Sequence, residues 1–271
     1  MDQWQWQTQH HIPFIIMPRW SELGVTAAFS SRQGGVSQAP FASLNLGLHV
    51  GDKLPDVLEN RRRWLNLFAY QVEDMVSCEQ VHGTKVVVVE NSHAGLGARD
   101  YATVLKGFDA MVTASPGLVL ASYYADCLPL YFFHPGRRVV GLAHSGWKGT
   151  MGKIAVETLK RMEEEFACPP GEVEVFIGPG IGPCCFQVDK SLAEKVKKVW
   201  PNSDDIIDKR EGKWYWDLPT TNRIILAAAG VSAGNISCCP LCTSCHNEMF
   251  YSYRREQGMT GRMSAIISIR N

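Results

Sequence analysis

The chain has 271 residues, 45% of them hydrophobic and 20% charged, an ordinary globular composition that argues against disorder. Its 27 Lys and Arg balance its 27 Asp and Glu, so no net basic field draws it to nucleic acid or to an anionic membrane. No run approaches the roughly 18 consecutive apolar residues of a membrane span, and the start, Met1-Asp2-Gln3-Trp4-Gln5-Trp6, lacks the basic segment of a secretory leader. A cytoplasmic location is therefore expected, with the nine cysteines reduced and available to metal or catalysis instead of forming a disulfide framework. In chain order, short β-branched or aromatic runs bounded by Gly, Pro, Asp or Asn predict strands over 25–29, 86–89, 109–113, 118–121, 128–133, 138–143, 173–177 and 265–269. Helices are expected over 55–68, where Pro55 suits a first turn, and over 150–166, where Ala155, Leu159, Met162 and Phe166 recur at helical spacing. Two more are expected over 191–200 and 218–229. Strands outnumber helices and often follow one another directly, which favours an α+β fold over a strictly alternating parallel one. No repeat or long linker divides residues 1–271, so they are read as one domain.

Three segments place a reactive residue between small ones at a strand edge: Gln80-Val81-His82-Gly83, Ala125-Asp126-Cys127-Leu128-Pro129 and Ala143-His144-Ser145-Gly146-Trp147. If His82, Cys127 and His144 converge, two imidazoles and a thiolate form a three-ligand site suited to zinc, with the fourth position open to water or substrate. Such a metal brings the pKa of bound water to about 7. Alternatively, Cys127 with His82 or His144 is a nucleophile–base pair. Asp126 is the candidate to orient an imidazole in either arrangement. The run from Gly141 to Thr150 nearly matches a phosphate loop, but Trp147 stands where that motif needs Lys. Free N–H groups at the start of the following helix, with Lys148, remain candidates to hold an anion. Cys239-x2-Cys242-x2-Cys245 has metal-like spacing, but a structural zinc needs four ligands. Its fourth would be His246 or Cys238, and no second paired CxxC exists, so reduced thiols are the preferred reading. Cys184-Cys185 is taken as structural.

The segments SRQGGVSQAPFASLNLGLHVGD, NRRRWL, EQVHGTKV, FDAMVT, ADCLPL, GLAHSGWKGT, IGPGIGPCCFQV, WDLPTTN and FYSYRREQGMTGR follow in this order between Ser31 and Arg262. As an ordered set they resemble the laccase-domain purine nucleoside phosphorylase family, long named multicopper polyphenol oxidase. The resemblance implies a four-layer α/β/β/α sandwich with mixed sheets. It implies phosphorolysis of adenosine, inosine and methylthioadenosine, with some adenosine deamination. It puts the metal ligands on His82, Cys127 and His144, with zinc as the expected ion and copper as an occupant the same ligands would accept. Purine nucleosides and phosphate are then the partners, and a homodimer is the candidate assembly. Arg61, Arg62 and Lys148 are candidates to neutralise phosphate, Asn45 to hydrogen-bond the nucleoside and Asp126 to transfer protons. The chain reads AHSGWKG where many relatives have AHAGWRG, and Lys148 lacks the bidentate fork of Arg. A copper polyphenol oxidase is the rival reading, but a trinuclear copper centre uses His-x-His pairs, and the eight histidines include none. A Cys–His thiol hydrolase would use the same residues without a metal, and a non-enzymatic binding module would use them without catalysis.

Overall fold

Residues 128–133 and 265–269 are apolar at nearly every position instead of alternately, the pattern of strands buried on both faces. The computed structural model, which describes residues 4–200 and 203–271, places them at the heart of two packed sheets. The chain begins with β1 (Gln5–Gln9), β2 (Ile12–Ile16), α1 (Pro18–Glu22), β3 (Val25–Ser30), α2 (Leu54–Asn66), β4 (Met75–Ser77) and β5 (Val86–Val88). It continues with β6 (Ala110–Thr113), β7 (Val119–Tyr124), β8 (Leu128–His134), β9 (Val139–Ser145), α3 (Trp147–Met151), α4 (Ile154–Phe166) and β10 (Glu174–Ile177). The last part holds β11 (Gln187–Val188), α5 (Lys190–Val199), β12 (Ile207–Arg210), β13 (Lys213–Trp216), α6 (Leu218–Ala228), β14 (Ile236–Cys238) and β15 (Met263–Ile269).

One sheet has the order β1-β2-β3-β15-β7-β4 and the other β14-β10-β8-β9-β6-β5, while β11-β13-β12 form a small third sheet. Both large sheets are mixed: β4 runs parallel to β7 and β5 parallel to β6, within otherwise largely antiparallel ladders. Phe29, Tyr124, Ala265 and Ile267 of the first sheet meet Tyr131, Phe133, Val140 and Leu142 of the second. Ile266, from the opposite face of β15, joins Phe14 and Val119 under Trp64 and Leu65 of α2. Leu130 and Phe132 turn the other way, onto Leu159 and Met162 of α4 and Leu226 of α6. The layers are therefore α/β/β/α, as the resemblance implies, and each fully buried Leu, Ile or Phe contributes about 1.5–3 kcal/mol.

Several elements depart from those expected, and α1, β4 and β14 have no counterpart among them. The β1–β2 hairpin has no counterpart among them, because every residue of β1 is exposed and its Gln-rich sequence carries no apolar alternation. The third sheet packs one side only, and its strands are two to four residues long. The helix expected over 150–166 is two: α3 ends at Met151 with Gly152 as its C-cap, and Lys153 takes a left-handed φ of 60° before α4 begins. Among the described residues, no helix is long and apolar enough to cross a membrane.

Candidate metal site and pocket

His144 lies near the end of β9, opposite Pro129 of β8 in the ladder, and Cys127 immediately precedes β8. His82 comes from the loop between β4 and β5. That loop is fastened by Gln80, whose side-chain amide donates to the Tyr123 carbonyl at 2.9 Å and accepts the Tyr123 N–H at 2.8 Å, in the manner of a strand neighbour. Gln80, His82 and Asp126 all have positive φ, at 62°, 61° and 88°. Non-glycine residues persist there only when their surroundings hold them, and such positions cluster at functional sites.

The three expected ligands converge. Their ligand atoms lie within 4.8 Å of one another, with Cys127 Sγ 3.9 Å from His82 Nε2. Tetrahedral zinc with ligand bonds of about 2.0–2.3 Å separates its donors by about 3.3–3.8 Å, so the set fits such an ion after only a small contraction. Gly146 makes the approach feasible: a Cβ there would stand 2.8 Å from Cys127 Sγ and 3.1 Å from His82 Cδ2.

The carboxylate that organises these ligands is Asp109, just before β6. Its Oδ1 lies 2.9 Å from His144 Nδ1 and accepts the His82 backbone N–H at 2.8 Å, while Oδ2 accepts the Gly83 N–H at 2.7 Å. This bond to Nδ1 directs Nε2 of His144 toward the ligand set, the usual second partner of a metal-binding histidine. Burial works against ionisation of Cys127, but the His144 charge and hydrogen bonds from both histidines outweigh it and bring the thiol to about 6. Burial likewise works against a charged His144 ring, yet the Cys127 and Asp109 anions raise it to about 9.

Asp126 does not orient either imidazole, which corrects that expectation. Its Oδ1 accepts the Thr243 hydroxyl at 2.7 Å and its Oδ2 the Arg254 N–H at 2.7 Å, and its carbonyl accepts the Ile181 N–H at 2.7 Å. It ties three loops together beside Cys127. Three of the four expected substrate contacts also do other work. Arg61 is buried and donates to the carbonyls of Leu46, Gly97 and Ala98 at 2.7–2.9 Å. Arg62 points outward and pairs with Glu59 at 2.8 Å. Asn45 is fully buried, bonding Asp52 through its amide and accepting the Arg262 N–H at 2.9 Å, so it positions Arg262 and lies outside the cavity lining. Lys148 alone of the four lines the cavity. The helix start named with it is that of α3, which spans only five residues. Ser145, one of the departures from the family pattern, donates to Asn222 Oδ1 at 3.1 Å in a buried network with Thr150.

The ligands open into a cavity of about 580 Å³, within the usual range for small-molecule sites. Residues to which the sequence alone assigns no role line it, among them Glu79, Phe186, Tyr253, Arg254 and Arg262. The last three stand in the segment FYSYRREQGMTGR, and Phe186 in IGPGIGPCCFQV, so the motifs mark the place without assigning the residues. The Arg254 guanidinium sits over the Phe186 ring at 5.5 Å, and that of Arg262 over Tyr253 at 5.8 Å. His49, also in the lining, is held neutral: burial and then the Arg262 and Arg61 charges lower it to about 4.

The sequence model of the family described as multi-copper polyphenol oxidoreductase laccase matches residues 26–270. The chain is 42% identical over 249 residues to "Purine nucleoside phosphorylase YlmD" of Geobacillus stearothermophilus, covering 91% of each chain. It is 32% identical to "Adenosine deaminase RL5" from an unknown prokaryotic organism, covering 87% of this chain and 90% of that one. The crystal structure of YlmD from Geobacillus stearothermophilus superimposes with a TM-score of 0.93 at 40% identity, covering 98% of this chain and 99% of that one.

Proposed function

The chain belongs to the multi-copper polyphenol oxidoreductase laccase family, and from that premise we propose that it is a zinc-dependent purine nucleoside phosphorylase. Its substrates are adenosine, inosine and methylthioadenosine, with adenosine deamination as a second activity, and residues 1–271 act as one domain. The observation that carries this reading is the cavity itself: the His82, Cys127 and His144 ligands share it with the aromatic rings of Phe186 and Tyr253 and the cations Lys148, Arg254 and Arg262. The names of the relatives, a phosphorylase and an adenosine deaminase, support the same chemistry.

Phosphorolysis forms a bond from a phosphate oxygen to the anomeric carbon as the C–N bond to the purine breaks. The electron pair leaves with the base, which takes up a proton, and positive charge builds on the ribose as in glycoside hydrolysis. Lys148, Arg254 and Arg262 neutralise the phosphate, and Phe186 and Tyr253 offer faces on which a purine stacks. When bound by His82, Cys127 and His144, zinc supplies Lewis-acid polarisation of an oxygen. Asp109 keeps His144 in the tautomer that such binding requires. Deamination adds water at the adenine C6 and expels ammonia, and its proton carrier must be a carboxylate in the cavity. Glu79 fills that role better than Asp126: only its Oε2 is engaged among the described residues, by the Gly107 N–H at 2.9 Å, whereas both oxygens of Asp126 are occupied. The copper polyphenol oxidase reading has no such support, because among the described residues no second cluster of histidines accompanies the first.

The test is purine release from adenosine with and without phosphate, resolving adenine from inosine, on the purified, chelated and zinc-restored protein. Phosphate-dependent adenine release should vanish with the metal and return with zinc. Full activity after verified metal removal would instead assign the chemistry to the Cys127 thiolate, and turnover of phenols in place of nucleosides would favour the oxidase.

A further inference from the structure

Two turns far apart in sequence bring a second group of soft ligands together. One carries Cys184 and Cys185, the other Cys242 and Cys245, and the four sulfurs lie within 4.8 Å of one another. Cys245 Sγ is 3.5 Å from Cys184 Sγ and 3.4 Å from Cys185 Sγ. The backbone holds the turns in place without help from the sulfurs. Gly180 bridges Cys242, and the Thr243 N–H donates to the Gly180 carbonyl at 2.9 Å. Each turn is closed by its own bond, Cys185 N–H to the Gly182 carbonyl at 3.0 Å and Cys245 N–H to the Cys242 carbonyl at 3.2 Å. The Gly182 N–H points at Cys242 Sγ from 3.2 Å, a donor aimed at the atom that would carry thiolate charge.

We propose that Cys184, Cys185, Cys242 and Cys245 form a second metal site, a closed tetrathiolate centre for zinc, independent of the His82, Cys127 and His144 site. Tetrahedral zinc with Zn–S bonds of about 2.3 Å sets its sulfurs about 3.8 Å apart; Cys245 Sγ lies a few tenths of an ångström inside that distance from Cys184 and Cys185, and all four sulfurs are within 4.8 Å. An iron–sulfur cluster needs its cysteines spread around a core of several atoms, so sulfurs already in contact favour a single ion. Each thiol enters as thiolate, its proton passes to solvent and no electrons move. The membership differs from the one that spacing suggests. Cys239 is 2% exposed and packs in the core between the sheets, and His246 turns Nδ1 to the Cys242 carbonyl at 2.9 Å. Cys184 and Cys185, from the other turn, complete the set.

The site works as a staple on the wall of the cavity. One turn lies between Ile181 and Phe186, both in the lining, and the other carries Thr243, which holds Asp126 beside Cys127.

The protein, expressed and purified under reducing conditions, should contain two equivalents of zinc. X-ray absorption should show a sulfur-rich average, four sulfurs at one ion and one at the other. A His82→Ala, His144→Ala variant should retain one equivalent. Loaded with cobalt(II), it should show the intense charge-transfer and d–d bands of tetrahedral tetrathiolate cobalt, and adding Cys184→Ser and Cys245→Ser should abolish them. A single equivalent in the wild-type protein, lost with the histidines, would overturn the proposal. If the histidine variant does not fold, the wild-type stoichiometry and its drop to one equivalent in Cys184→Ser, Cys245→Ser decide the question.

Discussion

The His82, Cys127 and His144 group lines a cavity, whereas the four cysteines gather on two turns with Cys184 and Cys245 exposed. The first group has three mixed ligands and a side-chain partner, Asp109, that sets the direction of one of them. The second has four identical ligands and is organised by backbone N–H groups and carbonyls. The difference follows from coordination. An ion with three protein ligands keeps a position for a reactant and needs each ligand aimed, while four thiolates close the coordination shell and leave only a fold to hold.

The largest effect that would test this contrast is expected from His144→Ala. It should strip the metal from the cavity and lower nucleoside turnover by more than the roughly 10–100-fold typical of losing a ligand's hydrogen-bond partner, while the tetrathiolate metal stays; metal content and steady-state kinetics check both. Asp109→Asn comes next, with turnover or metal affinity reduced about 10–100-fold, and an unchanged enzyme would mean that the His144 ring is aimed by something else. The metal-free protein should show a pH signature. Cys127, near 6, and His144, near 9, form a thiolate–imidazolium pair between these values. Stability from the thiolate is lost as pH falls through about 6, and stability from the imidazolium as pH rises through about 9. Ultraviolet titration of the thiolate should find the lower midpoint, and His144→Ala should move it upward. The double change Cys184→Ser, Cys245→Ser should act mainly on stability, lowering Tm at about 2–4 °C per kcal/mol lost in a chain of this size, with turnover within a few-fold of wild type. Arg62→Ala should be the quietest: its ion pair with Glu59 is solvent-exposed and adds little to stability, so a clear rise in KM for phosphate would restore Arg62 to the substrate site.

Much of the framework is legible along the chain, because apolar runs and helical spacing are local. Strands such as β8 and β9 and the helices α2, α5 and α6 lie within a few residues of their expected ranges. Elements without an apolar signal, β1 above all, cannot be read that way. The cavity shows the same division. His82, Cys127 and His144 are legible because each stands in a short motif whose residue types bind metal. Arg61 and Asn45 are equally visible in their motifs, yet burial turns both to holding loops.

Residue type and local order were enough for an α+β fold and for His82, Cys127 and His144 as candidate ligands, and the ordered motifs, through the family they resemble, implied the layers, since that information is carried within short stretches of chain. Long-range packing was needed to make Asp109, not Asp126, the partner of His144: that contact depends on β6 pairing with β9, Ala110 against Ala143. Packing also selected which four of the nine cysteines meet. The direction of a side chain from its turn, and so whether Cys239 faces the core or its neighbours, is set by what surrounds the turn and not by spacing along the chain.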